Sequence, residues 1–322
     1  MSKVRICIIG AGAMANKVHY PSLASLNDVE MAGICDLNAQ RVAETADRYG
    51  IANRYGDYRK MLDEQKPDGV YVIMPPQYMY DIVCDCIGRG LNVFTEKPLG
   101  LTLHQAETLA RLAAEKGVIT QVGHQRRSSP ILNAMLEKCR AHGSVSHAVV
   151  EFYKCDIHPF SLAADHLHDD CSHSIDTLRW VCGGEVVGVD SNFKRIGTPD
   201  INWVQSTLQF DNGATGVVIN SWASGRRVFR VEIHCPGAYA DVELENKAYL
   251  YENGNYEGEA YDCKEVAGGD EFYEYGGFKL KSREFIDSIR SGECKTSSPF
   301  SDVVKTMRVL ETIVAQSVLA DV

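Results

Sequence analysis

Apolar and polar positions change their rhythm once along this chain. Up to about residue 122, short apolar runs alternate with segments of helical periodicity. Val4 to Ile9, Val29 to Cys35, Gly69 to Ile73, Leu91 to Thr95 and Val118 to Val122 read as strands. Residues 13–26, 38–49, 78–89 and 102–117 read as helices between them. The last opens on Thr102 with Gln105 at capping-box spacing and closes on Gly117. This alternation predicts right-handed crossovers and a doubly wound parallel sheet with helices on both faces.

From residue 123 the texture differs. Helical patterns near 130–141 and 170–182 flank a strand near 145–154, and the chain then turns strand-rich with period two. Phe229, Val231 and Ile233 alternate with Arg230, Glu232 and His234, while Asp211-Asn212-Gly213 and Glu252-Asn253-Gly254 read as hairpin turns. Helical periodicity returns at about 281–291 and 300–320. The expected organisation is an α/β nucleotide-type domain over 1–122. An α+β domain over 123–322 follows, built on a large open, mainly antiparallel or mixed sheet.

Composition narrows the function classes. A chain of 322 residues is too long for one simple core, in keeping with two domains. Lys+Arg 33 against Asp+Glu 43 gives a net charge of −10, which argues against a nucleic-acid or anionic-membrane surface. No apolar run approaches the roughly 18 residues of a spanning helix. Met1 to Gly10 lacks the apolar core and cleavage site of a signal peptide. Eleven cysteines without a C-x-x-C pair predict reduced, partly buried thiols, and the expected location is cytoplasmic.

Gly10-Ala11-Gly12-Ala13-Met14-Ala15 follows the first strand and opens a helix, a G-x-G-x-x-A pattern. Gly10 permits a tight turn, Gly12 lets a pyrophosphate approach the backbone, and Ala15 allows close helix–strand packing. Backbone N–H groups at the helix start, around Ala13 and Met14, are placed to hold phosphates. Asp36 ends the second strand about twenty residues later, where an acid accepts hydrogen bonds from a ribose 2′-OH and repels a 2′-phosphate. NAD is therefore expected over NADP, with Arg41 keeping NADP as the lesser option. Taken alone, Asp36 also suits a turn or helix cap.

Thr95-Glu96-Lys97-Pro98 sits at the carboxyl end of a strand, where ligands of such sheets bind. Lys97 there can point toward a nicotinamide, although an exposed loop lysine is the simpler reading, and Pro98 permits a cis peptide. Further on, Asp169, His173 and Asp176 share one helical face, while Cys171, Ile175, Leu178 and Cys182 lie about 200° away. One side can pack while the other presents Asp169 and His173 as a proton-handling pair. The alternative is a capping acid and a half-buried histidine.

Weaker constellations complete the reading. His158, His166, His168 and His173 cluster with Asp156, Asp165, Asp169 and Asp170, but their spacing matches no standard template and no metal is expected. Arg126, with His124 and Arg127, suits a substrate hydroxyl or carboxylate, or a surface basic cluster. Tyr153 and Trp222 suit a sugar platform or a core. Gly268 to Gly277 reads as an acidic, aromatic solvated loop.

On Ile8 to Ala15, Asp36, Glu96-Lys97-Pro98 and Asp169 to Asp176, nearly the whole chain resembles the glucose–fructose oxidoreductase and inositol dehydrogenase family. The resemblance implies a Rossmann domain and a C-terminal open sheet that forms homodimer or homotetramer contacts. It also implies NAD(P)-linked dehydrogenation of a sugar, polyol or inositol-like alcohol. It further implies Lys97, Asp169 and His173 as the catalytic set. Pro75 and Glu96 are expected beside the cofactor, and Arg126, Tyr153 and Asp176 are the candidate substrate residues. Two positions depart from the family pattern: Tyr80 stands where a histidine is usual, and Cys171 where a glycine is. An NAD-dependent glycosidase working by transient oxidation, and a nucleotide-binding regulator without turnover, are the competing functions.

Overall fold

In the computed structural model, which describes residues 2–159 and 166–320, the first apolar runs pair as expected. The strands β1 (Val4–Ile9), β2 (Val29–Cys35), β3 (Arg54–Tyr55), β4 (Gly69–Val72), β5 (Asn92–Thr95) and β6 (Thr120–Val122) form one sheet. Their order is β3-β2-β1-β4-β5-β6, and every pairing is parallel. Ile6, Cys7, Ile8, Val70, Tyr71 and Val72 are all inaccessible. Burial on both faces is why these strands read as continuous apolar runs rather than alternations. The direction of winding reverses between β1 and β4, the switch point at which such sheets open a crevice.

Helices α1 (Tyr20–Ala24), α2 (Ala39–Tyr49), α3 (Tyr58–Gln65), α4 (Met79–Gly88) and α5 (Leu103–Lys116) fall between these strands. A π-helical turn over Ala15–His19 leads into α1. Thr102 caps α5 by accepting from the Gln105 N–H at 3.2 Å, and Gly117 ends it at φ 65°. The sequence pattern misses β3 and α3. Two paired residues make β3, and α3 buries only Met61 and Leu62, too little for a periodic signal.

The remaining helices are α6 (Pro130–Arg140), α7 (Ser172–Cys182), α8 (Cys263–Ala267), α9 (Phe272–Tyr275), α10 (Phe278–Ser291) and α11 (Phe300–Leu319). The remaining strands are β7 (His147–Cys155), β8 (Val186–Lys194), β9 (Trp203–Phe210), β10 (Thr215–Ser221), β11 (Ala223–Cys235), β12 (Ala238–Glu243), β13 (Lys247–Glu252) and β14 (Glu259–Asp262). They form a second sheet in the order β14-β13-β12-β11-β7-β10-β9-β8, mixed because β7 and β10 run parallel. Phe210 to Gly213 and Glu252 to Asn255 are turns, as the two Asn-Gly pairs predict.

The chain divides into two units: residues 1–125 with 272–304, and residues 126–271 with 305–322. The sequence reading divides the chain once, near 122; in the structure the segment around α10 packs with the first unit. Its driving force is aromatic. Tyr71 stacks on Phe94 at 4.3 Å, and Phe285 of α10 meets both edge-on at 5.6 and 5.9 Å. Ser298 and Thr296 then donate to the β6 carbonyls of Val122 and Thr120 at 2.7 and 2.9 Å. The stretch read as a solvated loop carries α9, where Phe272 packs on Phe278 and lies under the Lys17 ammonium.

In the second unit α7 packs on β7 and β10. Gly216 makes the close approach possible, because a Cβ there would lie 2.5 Å from Leu178. Along β7, Ala148, Val150 and Phe152 are buried while Val149, Glu151 and Tyr153 are half-buried on the other face. All eleven cysteines are free thiols, with Cys7, Cys35 and Cys86 pushed up to about 12 by burial. Among the described residues no helix is long and apolar enough to cross a membrane.

Candidate functional site

The glycine turn lies at the switch point of the first sheet. Gly10 has φ 116°, and a Cβ there would stand 1.9 Å from the Ile73 carbonyl oxygen just past β4. Only glycine fits the conformation and the gap together. A Cβ on Gly12, by contrast, meets nothing within 4 Å. The turn is pinned from outside. The Ala11 N–H donates to Asp36 Oδ2 at 2.7 Å, and Asn16 Nδ2 donates to the Ala11 and Gly12 carbonyls at 3.0 and 3.2 Å. Ala15 is buried in the core, whereas Ala13 and Met14 face solvent at the start of the helix. The first N–H groups of that helix have no intrahelical acceptor.

Open space before Gly12, exposed N–H groups at a helix start and an acid at the end of β2 together fit a dinucleotide's pyrophosphate and ribose. Asp36 Oδ1 also accepts from the Asn38 N–H at 2.9 Å. Each oxygen therefore holds one backbone donor and keeps further acceptor capacity for a ribose hydroxyl. Pro75, past the end of β4, is exposed.

Glu96 and Lys97 follow β5, and the Lys97–Pro98 peptide is cis. Glu96 Oε1 bonds His19 Nε2 at 2.7 Å, and Oε2 accepts from the Lys97 N–H at 3.1 Å. Burial alone would raise the Glu96 carboxyl, but the His19 bond and the His19 and Lys97 charges outweigh it and hold the group below its ordinary value. Glu96 thus anchors the loop that carries Lys97. His19 is buried among the ring edges of Tyr71, Phe94 and Phe278. Sequence reasoning missed it, because a histidine inside a helix pattern gives no signal of its distant partner.

In the second unit, a π-helical turn over Leu167–Cys171 carries Asp169 and leads into α7. Cys171, Ile175, Leu178 and Cys182 are buried, as their spacing predicts. Between Ser172 and Arg179, His173 alone is not buried, and Asp169 is likewise accessible. Asp176 departs from that pair. It is 1% exposed and receives Arg127 in a bidentate bond at 2.8 and 2.5 Å, with the Thr306 hydroxyl at 2.9 Å. His173 and Asp176 keep helical i,i+3 spacing within α7, but Asp176 lies on the flank where Arg127 and Thr306 bond it, and it is committed to the interior.

Asp170 is buried and accepts both Lys154 Nζ, at 2.8 and 2.7 Å, and Trp222 Nε1 at 2.6 Å. Trp222 is 2% exposed and stacked on His166, so it packs in the core. Tyr153 lies on the opposite face of β7 from Phe152, the ring that meets His173. Its hydroxyl donates to Glu151 at 2.8 Å, and burial together with that bond raises its pKa. Arg126 is buried against Phe229 and Phe152. Among the described residues no cluster of His, Cys, Asp or Glu is placed to hold a metal, and Asp165 of the histidine–aspartate group lies outside them.

Residues 4–124 match the family model described as an oxidoreductase family with an NAD-binding Rossmann fold, and residues 159–240 match the GFO/IDH/MocA C-terminal domain. The chain belongs to the Gfo/Idh/MocA oxidoreductase family. Its similarity to D-glucoside 3-dehydrogenase of Escherichia coli is 34% identity over 118 residues, 37% of this chain and 34% of that protein. The match to myo-inositol 2-dehydrogenase of Thermotoga maritima is 26% identity over 68% of each chain. A dehydrogenase from Chromobacterium violaceum superposes with a TM-score of 0.89 at 21% identity, over 99% of this chain and 98% of that one, a likeness of fold. The family is one of oxidoreductases, and its NAD-binding Rossmann fold is the part that matches the first sheet of this chain.

Proposed function

We propose that this oxidoreductase is a dehydrogenase that uses NAD rather than NADP and acts on a carbinol carbon of a sugar, polyol or inositol-like alcohol. NAD, when bound, supplies the hydride acceptor. Gly12, Ala13 and Met14 would hold its phosphates, Asp36 its adenosine ribose, and Pro75 the rim beside it. His173 takes the hydroxyl proton as general base. Lys97 donates a hydrogen bond to the same substrate oxygen and stabilises the negative charge that grows there. Asp169 orients the substrate or tunes the basic groups. The second unit's sheet is the proposed contact of a homodimer or homotetramer.

One observation carries this reading: on a helix otherwise sunk in the core, the accessible position between Ser172 and Arg179 is an imidazole. Absorbance at the NADH band over a panel of sugars and polyols, with NAD and with NADP, tests the reading. Stoichiometric NADH from NAD on at least one polyol is expected. Glycoside cleavage without net NADH would replace it with the transient-oxidation glycosidase. Lys97→Ala is expected to lower kcat by about 100- to 1,000-fold while NAD affinity changes little. Unchanged turnover removes Lys97 from the mechanism.

A further inference from the structure

We propose that the second unit selects substrates bearing a carboxylate and that Arg126 is the residue that receives it; this rests on the reading of His173 as part of the substrate site. Phe152 is the hub of the argument. Its ring centroid lies 5.4 Å from the Arg126 guanidinium, 5.1 Å from the Lys154 ammonium and 5.6 Å from the Arg227 guanidinium. The His173 ring meets the same ring edge-on at 6.4 Å. Three cations around one buried ring need counter-charges, and two have them. Lys154 is bound by both oxygens of Asp170, and Arg227 is paired with Glu245.

Arg126 differs. It is 5% exposed, it sits 3.8 Å over the Phe229 ring, and its Nη1 is buried with no hydrogen-bond partner among the described residues. Glu245, Asp170 and Asp176 lie in its field, but each is bonded to another cation. The contrast with the next residue is direct, since Arg127 meets Asp176 in a two-pronged bond. Burial, and then Arg227, bring the Arg126 guanidinium down to about 9, so it still carries charge at neutral pH. The two aromatic faces offset part of the cost of holding that charge out of water. They leave a planar donor without an acceptor, a costly arrangement unless a ligand completes it.

The geometry selects the ligand class. A guanidinium fork matches a carboxylate. A hydroxyl would satisfy a hydrogen bond but leave the charge uncompensated. A dianionic phosphate calls for more than one uncommitted cation, and Lys154 and Arg227 are already committed. Arg126 and His173 border the same ring, so a sugar acid held by its carboxylate would present a carbinol to the imidazole. The substrate class is therefore a hydroxylated monocarboxylate of the aldonate or uronate kind.

The test compares matched pairs, gluconate with sorbitol and glucuronate with glucose, and adds glucose 6-phosphate as a third arm. Wild type, Arg126→Met and Arg126→Lys are assayed for NADH formation, and binding is read separately as the shift in Tm with each compound. The acids are expected to exceed their neutral partners in kcat/KM by about 10- to 100-fold. That ratio should collapse toward one in Arg126→Met and recover in part in Arg126→Lys. Acids should raise the Tm of wild type and not of Arg126→Met. Unliganded Arg126→Met should melt no lower than wild type, because no hydrogen bond of the guanidinium is lost. Equal rates on acid and neutral substrates, an acid preference untouched in Arg126→Met, or a stronger preference for the phosphate would overturn the proposal. Acid binding that depends on Arg126 without any turnover would sustain it and sink the dehydrogenase reading instead.

Discussion

Two short stretches, the glycine turn at Gly10–Ala15 and the helical run over Leu167–Cys182, carry much of the candidate chemistry and are held in opposite ways. In the turn the backbone is the working part, and side chains from elsewhere shape it: Asp36 and Asn16 grip its amide groups while Ile73 closes over Gly10. In the helical run the backbone is ordinary and the side chains divide. Buried Asp176 and Asp170 are spent on the cations of Arg127 and Lys154, and Asp169 and His173 stay accessible. A backbone site tolerates almost no change of shape at its tight points. A side-chain site tolerates loss of its accessible members and fails when a buried partner is removed.

The sharpest separation comes from Arg127→Ala. Removing one member of a buried ion pair leaves Asp176 uncompensated, and a loss of about 3–5 kcal/mol in urea unfolding is expected. Loss under about 1 kcal/mol would mean that Asp176 is not committed as described. Next, the two glycines should part company. Gly10→Ala forces a Cβ onto the Ile73 carbonyl and should cost at least about 2 kcal/mol. Gly12→Ala should unfold within about 1 kcal/mol of wild type yet bind NAD at least about tenfold more weakly by fluorescence titration. Equal stability losses would erase the distinction drawn between them.

The smallest effect concerns pH. Glu96 is held below its ordinary 4.5 by His19, so the stability it contributes is present above that value and is lost as pH falls through the lower folded-state value. His19→Phe removes that contribution. The stability gap between wild type and variant, measured by urea unfolding from about pH 7 to pH 3, should therefore narrow on the acid side. A gap that widens on acidification would show that His19 does not depress Glu96.

The difference between the two stretches also explains what could be read in advance. Rossmann strands buried on both faces, the glycines and the Thr102 cap are local signals, and each proved legible. The accessibility of Asp169 and His173 beside the buried stripe of Cys171, Ile175, Leu178 and Cys182 follows from helical spacing, which is local too. Asp176 was misplaced because its fate is set by Arg127, 49 positions away. Strand alternation turns Tyr153 to the face of β7 opposite Phe152, a direction that residue type alone does not give. His19 and α10 were missed as parts of the first unit because their partners, Glu96 and the Tyr71–Phe94 stack, are remote in sequence.

Because Phe285 and Ile286 arrive so late in the chain, the cofactor-binding unit cannot be completed in the order in which it is synthesised. When the ribosome has delivered the six parallel strands, Tyr71 and Phe94 still lack the ring that covers them. Completion of that core must wait until residue 285 has emerged. A fragment cut where the Rossmann family match stops, at residue 124, would carry the fingerprint of a cofactor domain without the aromatic lid its interior needs.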